Sequence, residues 1–316
     1  MRLLPVSFAF AIALYPIVAP ICRAQPSPVT VDIAADFTVF WDATKDLPME
    51  QRVAAFHRVV EPTFPDFYNA TRFAAPGNPG NQDERIAAAI ARFPAIRPKY
   101  LAKVAVFNAA LAQNLASFVN AFPDYAPTVP IALVHSLGEM DGGERTLKGK
   151  DQATKDWLIF GADVMAQLHD FQDEAAFFHH ELFHTYHHAA DGCATVICAL
   201  WQEGLAVYVA SMLHPKAGLP ELLLNTPANM VPDTYARRKE AFAQLQGVLD
   251  SSDEKVLGAL FMSGDDGSDL PQRRGYYLGL LLAREVGKGR TLIELAHMPM
   301  TEAGSLIRAD IARQVH

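Results

Sequence analysis

The stretch His180-Glu181-Leu182-Phe183-His184-Thr185-Tyr186-His187-His188 contains the pattern H-E-x-x-H. On a helix, residues four apart stack on one face, so His180 and His184 can hold one metal ion between them. Glu181 sits one step round, close enough to reach a water on that metal. Two imidazoles for the ion and one carboxylate for the proton make the arrangement that a zinc hydrolase needs.

Local signals support a helix here. Asp170 and Asp173 are placed to cap it, and Glu174 sets negative charge in the first turn, where the helix dipole favours it. Phe177, Phe178, Leu182 and Phe183 form an apolar face, and Gly192 reads as the stop. Two histidines still leave catalytic zinc short of a protein ligand. Glu203, in Trp201-Gln202-Glu203-Gly204-Leu205-Ala206-Val207-Tyr208, belongs to a second helical pattern from about Thr195 to Leu213, ended by Pro215. A loop through Gly192 would fold this helix back antiparallel and bring Glu203 beside the histidines. His187 and His188, read on the same helix as His184, lie too far along its axis to complete a tetrahedron. They and His179 are expected in solvent or as supports of the ligands.

The spacing of His180, Glu181, His184 and Gln202-Glu203-Gly204 resembles that of the gluzincins, the metallopeptidase clan of thermolysin-like and M1-type aminopeptidase-like enzymes. The likeness is firm over about Glu174 to Ser211. The metzincin arrangement does not fit, since His187 and Ala190 occupy its Gly and third-ligand positions, and Asp191 is one residue off the Asp-ligand version. The gluzincin resemblance implies Zn2+ held by His180, His184 and Glu203, with Glu181 as general base and a peptide or protein as substrate. Gly138-Glu139-Met140-Asp141-Gly142 is similar to the G-x-M-E-N segment of the M1-type enzymes, whose Glu binds a free amine; the plainer reading is a flexible loop between strands. Tyr276, three residues before Gly279, matches the Tyr of their Y-x-K-G pattern, with Leu278 at the Lys position. That match implies a phenol donating to the reaction's oxyanion, against a plainer reading of Tyr276 as a core anchor. Gluzincins often orient a zinc histidine with an acid one or two turns beyond the Glu ligand. Here Val207 and Ala210 stand there, leaving Asp163, Asp170 or a backbone carbonyl to do it.

The elements around these residues read as an α+β fold, predominantly helical, with a small sheet bordering a gluzincin-like cleft and helical flanking regions. Residues 1–24 read as a secretory signal, with Arg2, an apolar run from Leu3 to Ala19, and a cleavage site near Ala24; Cys22 raises lipidation as an alternative. No stretch beyond it is expected to be long and apolar enough to span a bilayer. A periplasmic or secreted location follows. Cleavage would remove Arg2 and Arg23 but no acid, taking the formal charge from −8 to −10, which argues against nucleic acid as a partner. Cys193 and Cys198 would then remain, suited to a short disulfide between the two metal-bearing helices.

Residues 25–127 read as a helical N-terminal region, with apolar periodicity through 53–60, 86–93, 101–107 and 111–119 and a loop over 74–83. Residues 128–316 read as the catalytic region with a helical C-terminal part. Strands at 129–134 and 157–160 are expected to form a hairpin around a polar turn at 138–150, and a helix to begin at Asp163. The acidic loop 265–269 is expected to face solvent, and Arg273 and Arg274 to bind a substrate carboxylate or solvate the surface. The function implied is an exported zinc metallopeptidase. The same site would serve a zinc hydrolase of non-peptide amides or esters. A non-catalytic envelope protein with a structural metal would have no use for Glu181.

Overall fold

The computed structural model describes residues 30–73, 81–149, 151–169, 173–188 and 192–316. The leader read over 1–24, Cys22, Asp170, Ala190 and Asp191 lie outside the described residues. Strand β1 (Thr30–Asp32) leads into helices α1 (Ala34–Thr44), α2 (Met49–Val59), α3 (Ala70–Phe73) and α4 (Gln82–Ala121). Then follow β2 (Ile131–Val134), β3 (Gly142–Lys148), β4 (Thr154–Gly161), α5 (Ala162–Leu168), α6 (Ala175–His184) and α7 (Val196–Leu213). The chain closes with α8 (Met230–Ala236), α9 (Arg238–Val248), α10 (Glu254–Phe261), α11 (Arg274–Val286), α12 (Leu292–Ala296) and α13 (Met300–Val315). The class is α+β and predominantly helical, as expected.

The sheet corrects the expected hairpin. Its order is β1-β2-β4-β3, with β1–β2 and β2–β4 parallel and only β3–β4 antiparallel. The two strands legible in the sequence, β2 and β4, are therefore parallel neighbours, with Ile131 opposite Leu158. The hairpin partner of β4 is β3, drawn from the stretch expected to be a polar turn. Glu144, Arg145 and Lys148 obscured it, yet charged residues suit a strand at a sheet edge. All four residues of β2 are buried, as a central parallel strand requires.

The separate apolar runs at 86–93, 101–107 and 111–119 join into the single 40-residue α4. An Asn81–Glu84 capping box starts it. Pro94 and Pro98 lie inside it on the exposed face. Pro94 supplies no N–H to the Ile90 carbonyl. The Trp41 indole N–H donates to that carbonyl instead, at 3.1 Å, so the interruption costs no orphaned acceptor.

The larger of two hydrophobic clusters among the described residues runs from Ile33 to Ile311 and includes side chains of α1, α4, α6, α7, α11 and α13; the smaller gathers Val207, Leu224, Met230, Tyr277 and Leu280. By length and composition, α4 and α7 could each cross a membrane, which corrects the expectation of no such stretch after residue 24. In α7 the apolarity matches its burial, for it packs against α6, α11 and α13. The α7–α11 crossing is closest at two glycines. A Cβ on Gly204 would stand 2.3 Å from the Gly279 carbonyl carbon, and a Cβ on Gly279 would stand 2.7 Å from the Leu200 oxygen. No side chain fits between these backbones, so the crossing fixes Glu203 and Tyr276, one on each helix, relative to one another.

Gly204→Ala is expected to destabilise the protein by about 1–3 kcal/mol through overpacking. Gly247→Ala in α9, where a Cβ would meet nothing within 4 Å, should be neutral or slightly stabilising. Denaturant titration of both variants checks this; equal midpoints would show that the crossing has slack.

Candidate metal centre

Helix α6 ends sooner than the sequence suggests. His184 is its last residue, and the Thr185 hydroxyl turns back to donate to the Leu182 carbonyl at 2.8 Å. His187 and His188 thus leave the helix, correcting their placement on it. At the other end the Asp173 carboxylate accepts from the Ala175 N–H at 3.0 Å, just ahead of the first turn. Every residue from Ala176 to His184 is buried. The second helix of the candidate site, α7, has Thr195 immediately before it and ends at Leu213, within a residue of the expected span. Cys193 and Cys198 lie at disulfide distance, with Cα atoms 6.0 Å apart, at the entry to α7.

His180 and His184 turn their Nε2 atoms toward each other at 3.1 Å. The Glu203 Oε2 atom lies 3.4 Å from each. One donor atom from each of the three residues falls within 4.8 Å of the others. The chemistry of this set fits a divalent ion: two imidazole nitrogens and a carboxylate, all partly or fully withdrawn from water. Their electrostatics agree. Burial would raise the Glu203 carboxylate, yet the charges and hydrogen bonds of His184 and His180 hold it far below the usual carboxylate range. Burial would lower His184, but Glu203 pulls it up to about 9. Positive charge is favoured at the point the three residues share.

Glu181 is buried beside the same point. A Cβ on Gly142 would lie 2.9 Å from its Cδ, so the start of the edge strand β3 closes over this carboxylate. Burial raises its pKa, His180 and His184 lower it in part, and Asp141 and Glu203 raise it further. A carboxylate so raised is a better proton acceptor near neutral pH than an ordinary one. Tyr276, in the first turn of α11, places its ring centroid 6.5 Å from that of His180. Burial first, then the Glu203 charge, pushes its phenol above the ordinary range, so the O–H keeps its proton and remains a donor.

The other candidates fall elsewhere. Asp163 accepts from the Ser136 N–H (2.6 Å), the Ser136 hydroxyl (2.9 Å) and the Gly138 N–H (2.7 Å). It therefore holds the turn before β3, and no bond from it to His180 or His184 is present among the described residues. Residues 138–141 are accordingly part of the loop between β2 and β3, as the plainer reading expected, and Asp163 holds it. The His184 Nδ1 atom is buried with no hydrogen-bond partner among the described residues. His187 is buried too, between the rings of Phe183 and Trp201, with neither ring nitrogen hydrogen-bonded among the described residues. Burial lowers it to about 3. His179 faces away from the centre, bonded to Ser117, Asn114 and His214; His188 is exposed. The acidic loop is not purely solvated. Asp266 pairs with the buried Arg274, which also donates to Gln244 at 2.7 Å.

Asp141 and His169 form a feature that the sequence did not show. The buried His169 ring donates through Nε2 to Asp141 (3.1 Å) and through Nδ1 to Glu174 (2.9 Å), and Lys103 reaches Glu174 at 2.7 Å. This links the turn before β3 to the start of α6. Only the G-x-M-E-N likeness had drawn attention to Asp141, and a lone His after α5 carried no signal.

Burial would lower His169, but its bonds to Asp141 and Glu174 outweigh it and the pKa is raised. Its stabilising contribution is therefore complete below about pH 6.5 and lost as pH rises through the raised folded value. His169→Gln should cost stability at about pH 6, and the gap from wild type should narrow toward about pH 9. Thermal unfolding at both pH values checks this, and a gap independent of pH would contradict it. Comparison with known protein families, characterised proteins and solved structures finds no match to this chain, so the functional reading stands on the chemistry of the site.

Proposed function

We propose that the protein is an exported, zinc-dependent metallopeptidase of gluzincin type. The observation that carries this reading is the meeting of His180, His184 and Glu203 beside the buried carboxylate of Glu181. A site kept for stability alone has no need of a proton acceptor next to its ligands. His180, His184 and Glu203 would hold the zinc, whose chemistry when bound is to polarise a carbonyl and acidify water.

The chain's own groups supply the rest. Glu181 takes the proton from the attacking water and returns it to the departing amine. The Tyr276 phenol donates to the oxyanion that forms at the attacked carbonyl. Strand β3 is an outermost strand of the sheet among the described residues and packs on α6, so its outer edge can pair with an extended peptide beside the centre. That edge favours a peptide over a small amide or ester. The Cys193–Cys198 pair suits an oxidising compartment.

Glu203→Ala is expected to lose stoichiometric zinc by elemental analysis, and unchanged content would reject Glu203 as a ligand. Glu181→Gln should keep zinc while hydrolysis of a peptide library falls about 10²–10⁴-fold. A Gln variant cleaving at the wild-type rate would remove Glu181 from the mechanism. A zinc-loaded wild type that cleaves esters or small amides but no peptide would move the reading to a different hydrolase.

A further inference from the structure

Two adjacent arginines open α11, and the structure separates their roles. Arg274 is buried and spent on the fold, bonded to Asp266, Gln244 and the Pro271 carbonyl. Arg273 is partly buried and makes no ion pair or side-chain hydrogen bond among the described residues; its Nε atom is buried and unpartnered. Its backbone takes the left-handed conformation, φ 61°, with the N–H donating to the Ala259 carbonyl at 2.8 Å. This places the guanidinium against the Tyr276 ring, 4.8 Å from its centroid.

Tyr276 in turn flanks His180. The guanidinium therefore lies against the same ring that stands beside His180, one aromatic side chain away from the candidate centre. The carboxylates acting on the Tyr276 phenol are those of Glu203, Glu181 and Asp141, and Arg273 is the opposing cation. None of the three is within ion-pairing distance of it. Glu203 meets the two histidines, Asp141 bonds His169, and Glu181 is enclosed beneath Gly142. An arginine that makes no ion pair among the described residues, with its planar fork backed by an aromatic face and the Asp141 charge within its field, is built to receive an anion from outside the chain.

We propose that Arg273 binds a carboxylate of the substrate, making this a site for peptides that carry one within a residue or two of the bond cut. The assignment deepens the peptidase reading and rests on it for the nature of the substrate. A carboxylate suits the position better than a dianion, since one guanidinium balances its single charge. It has two sources in a peptide, the free C-terminus or an Asp or Glu side chain.

The test begins with binding, which needs no turnover. N-hydroxysuccinamic acid, a zinc-directed hydroxamate with a free carboxylate, is compared with its primary amide by calorimetry on the zinc-loaded protein. The acid should bind wild type roughly tenfold more tightly than the amide. Arg273→Gln should abolish the preference and Arg273→Lys should restore part of it. Equal affinities in wild type, or a preference that survives in Arg273→Gln, would overturn the assignment.

Matched peptides then locate the source. Faster cleavage of a free acid than of its C-terminal amide assigns the carboxylate to the terminus, and faster cleavage of an internal Glu than of Gln assigns it to a side chain. Cleavage indifferent to both overturns the role of Arg273 while leaving the peptidase reading intact. A carboxylate preference in binding with no peptide cleaved supports Arg273 and counts against the peptidase reading.

Discussion

The central constraint on this structure is charge in a place where water is scarce. Glu181 and Glu203 bring two carboxylates to a helix pair whose other neighbours are Phe177, Leu182, Leu200 and Leu205. Isolated, either anion would be costly to withdraw from water. Positive charge between His180 and His184 removes that cost for Glu203, and a divalent ion would do so more completely than a proton. The same scarcity of water raises Glu181, so burial that is unfavourable for the fold gives the carboxylate its affinity for a proton. Stability and chemistry thus meet in one group of side chains.

Three supports keep that group in place. The Gly204–Gly279 contact leaves α7 and α11 no room to slide, so Glu203 and Tyr276 stay on the same side of α6. Asp163 gathers the turn at 136–138 and brings β3 down over Glu181. His169 ties Asp141 to Glu174 at the start of α6. Each support lies outside the ligand set, and each uses a glycine contact or a charge-assisted hydrogen bond, interactions with strict geometry.

What could be read from the sequence was local. Residues four apart on a helix must share a face, so His180 and His184 were legible as a pair, and the apolar pattern that Pro215 closes gave the limits of α7 almost to the residue. The three-residue step from Tyr276 to Gly279 lies on a helix whose first turn sets the Tyr276 ring 6.5 Å from that of His180. What could not be read was long-range or hidden by polarity. The parallel pairing of β1, β2 and β4 leaves no turn signature, and the charges of β3 resemble those of a loop. No breaker follows His184, and the Thr185 hydroxyl bond to the Leu182 carbonyl at the early end of α6 has no sequence mark. The partition of Arg273 from Arg274 likewise depends on Asp266 and Gln244, which only folding brings near.

The central claim is that two imidazoles and one carboxylate form a metal centre. X-ray absorption at the zinc edge of the loaded protein tests it most directly. The account predicts one zinc per chain with nitrogen and oxygen neighbours at about 2.0–2.2 Å, the outer-ring signature of two histidines, and no sulfur. A zinc surrounded by water oxygens alone, or one bound through Cys193 or Cys198, would contradict it.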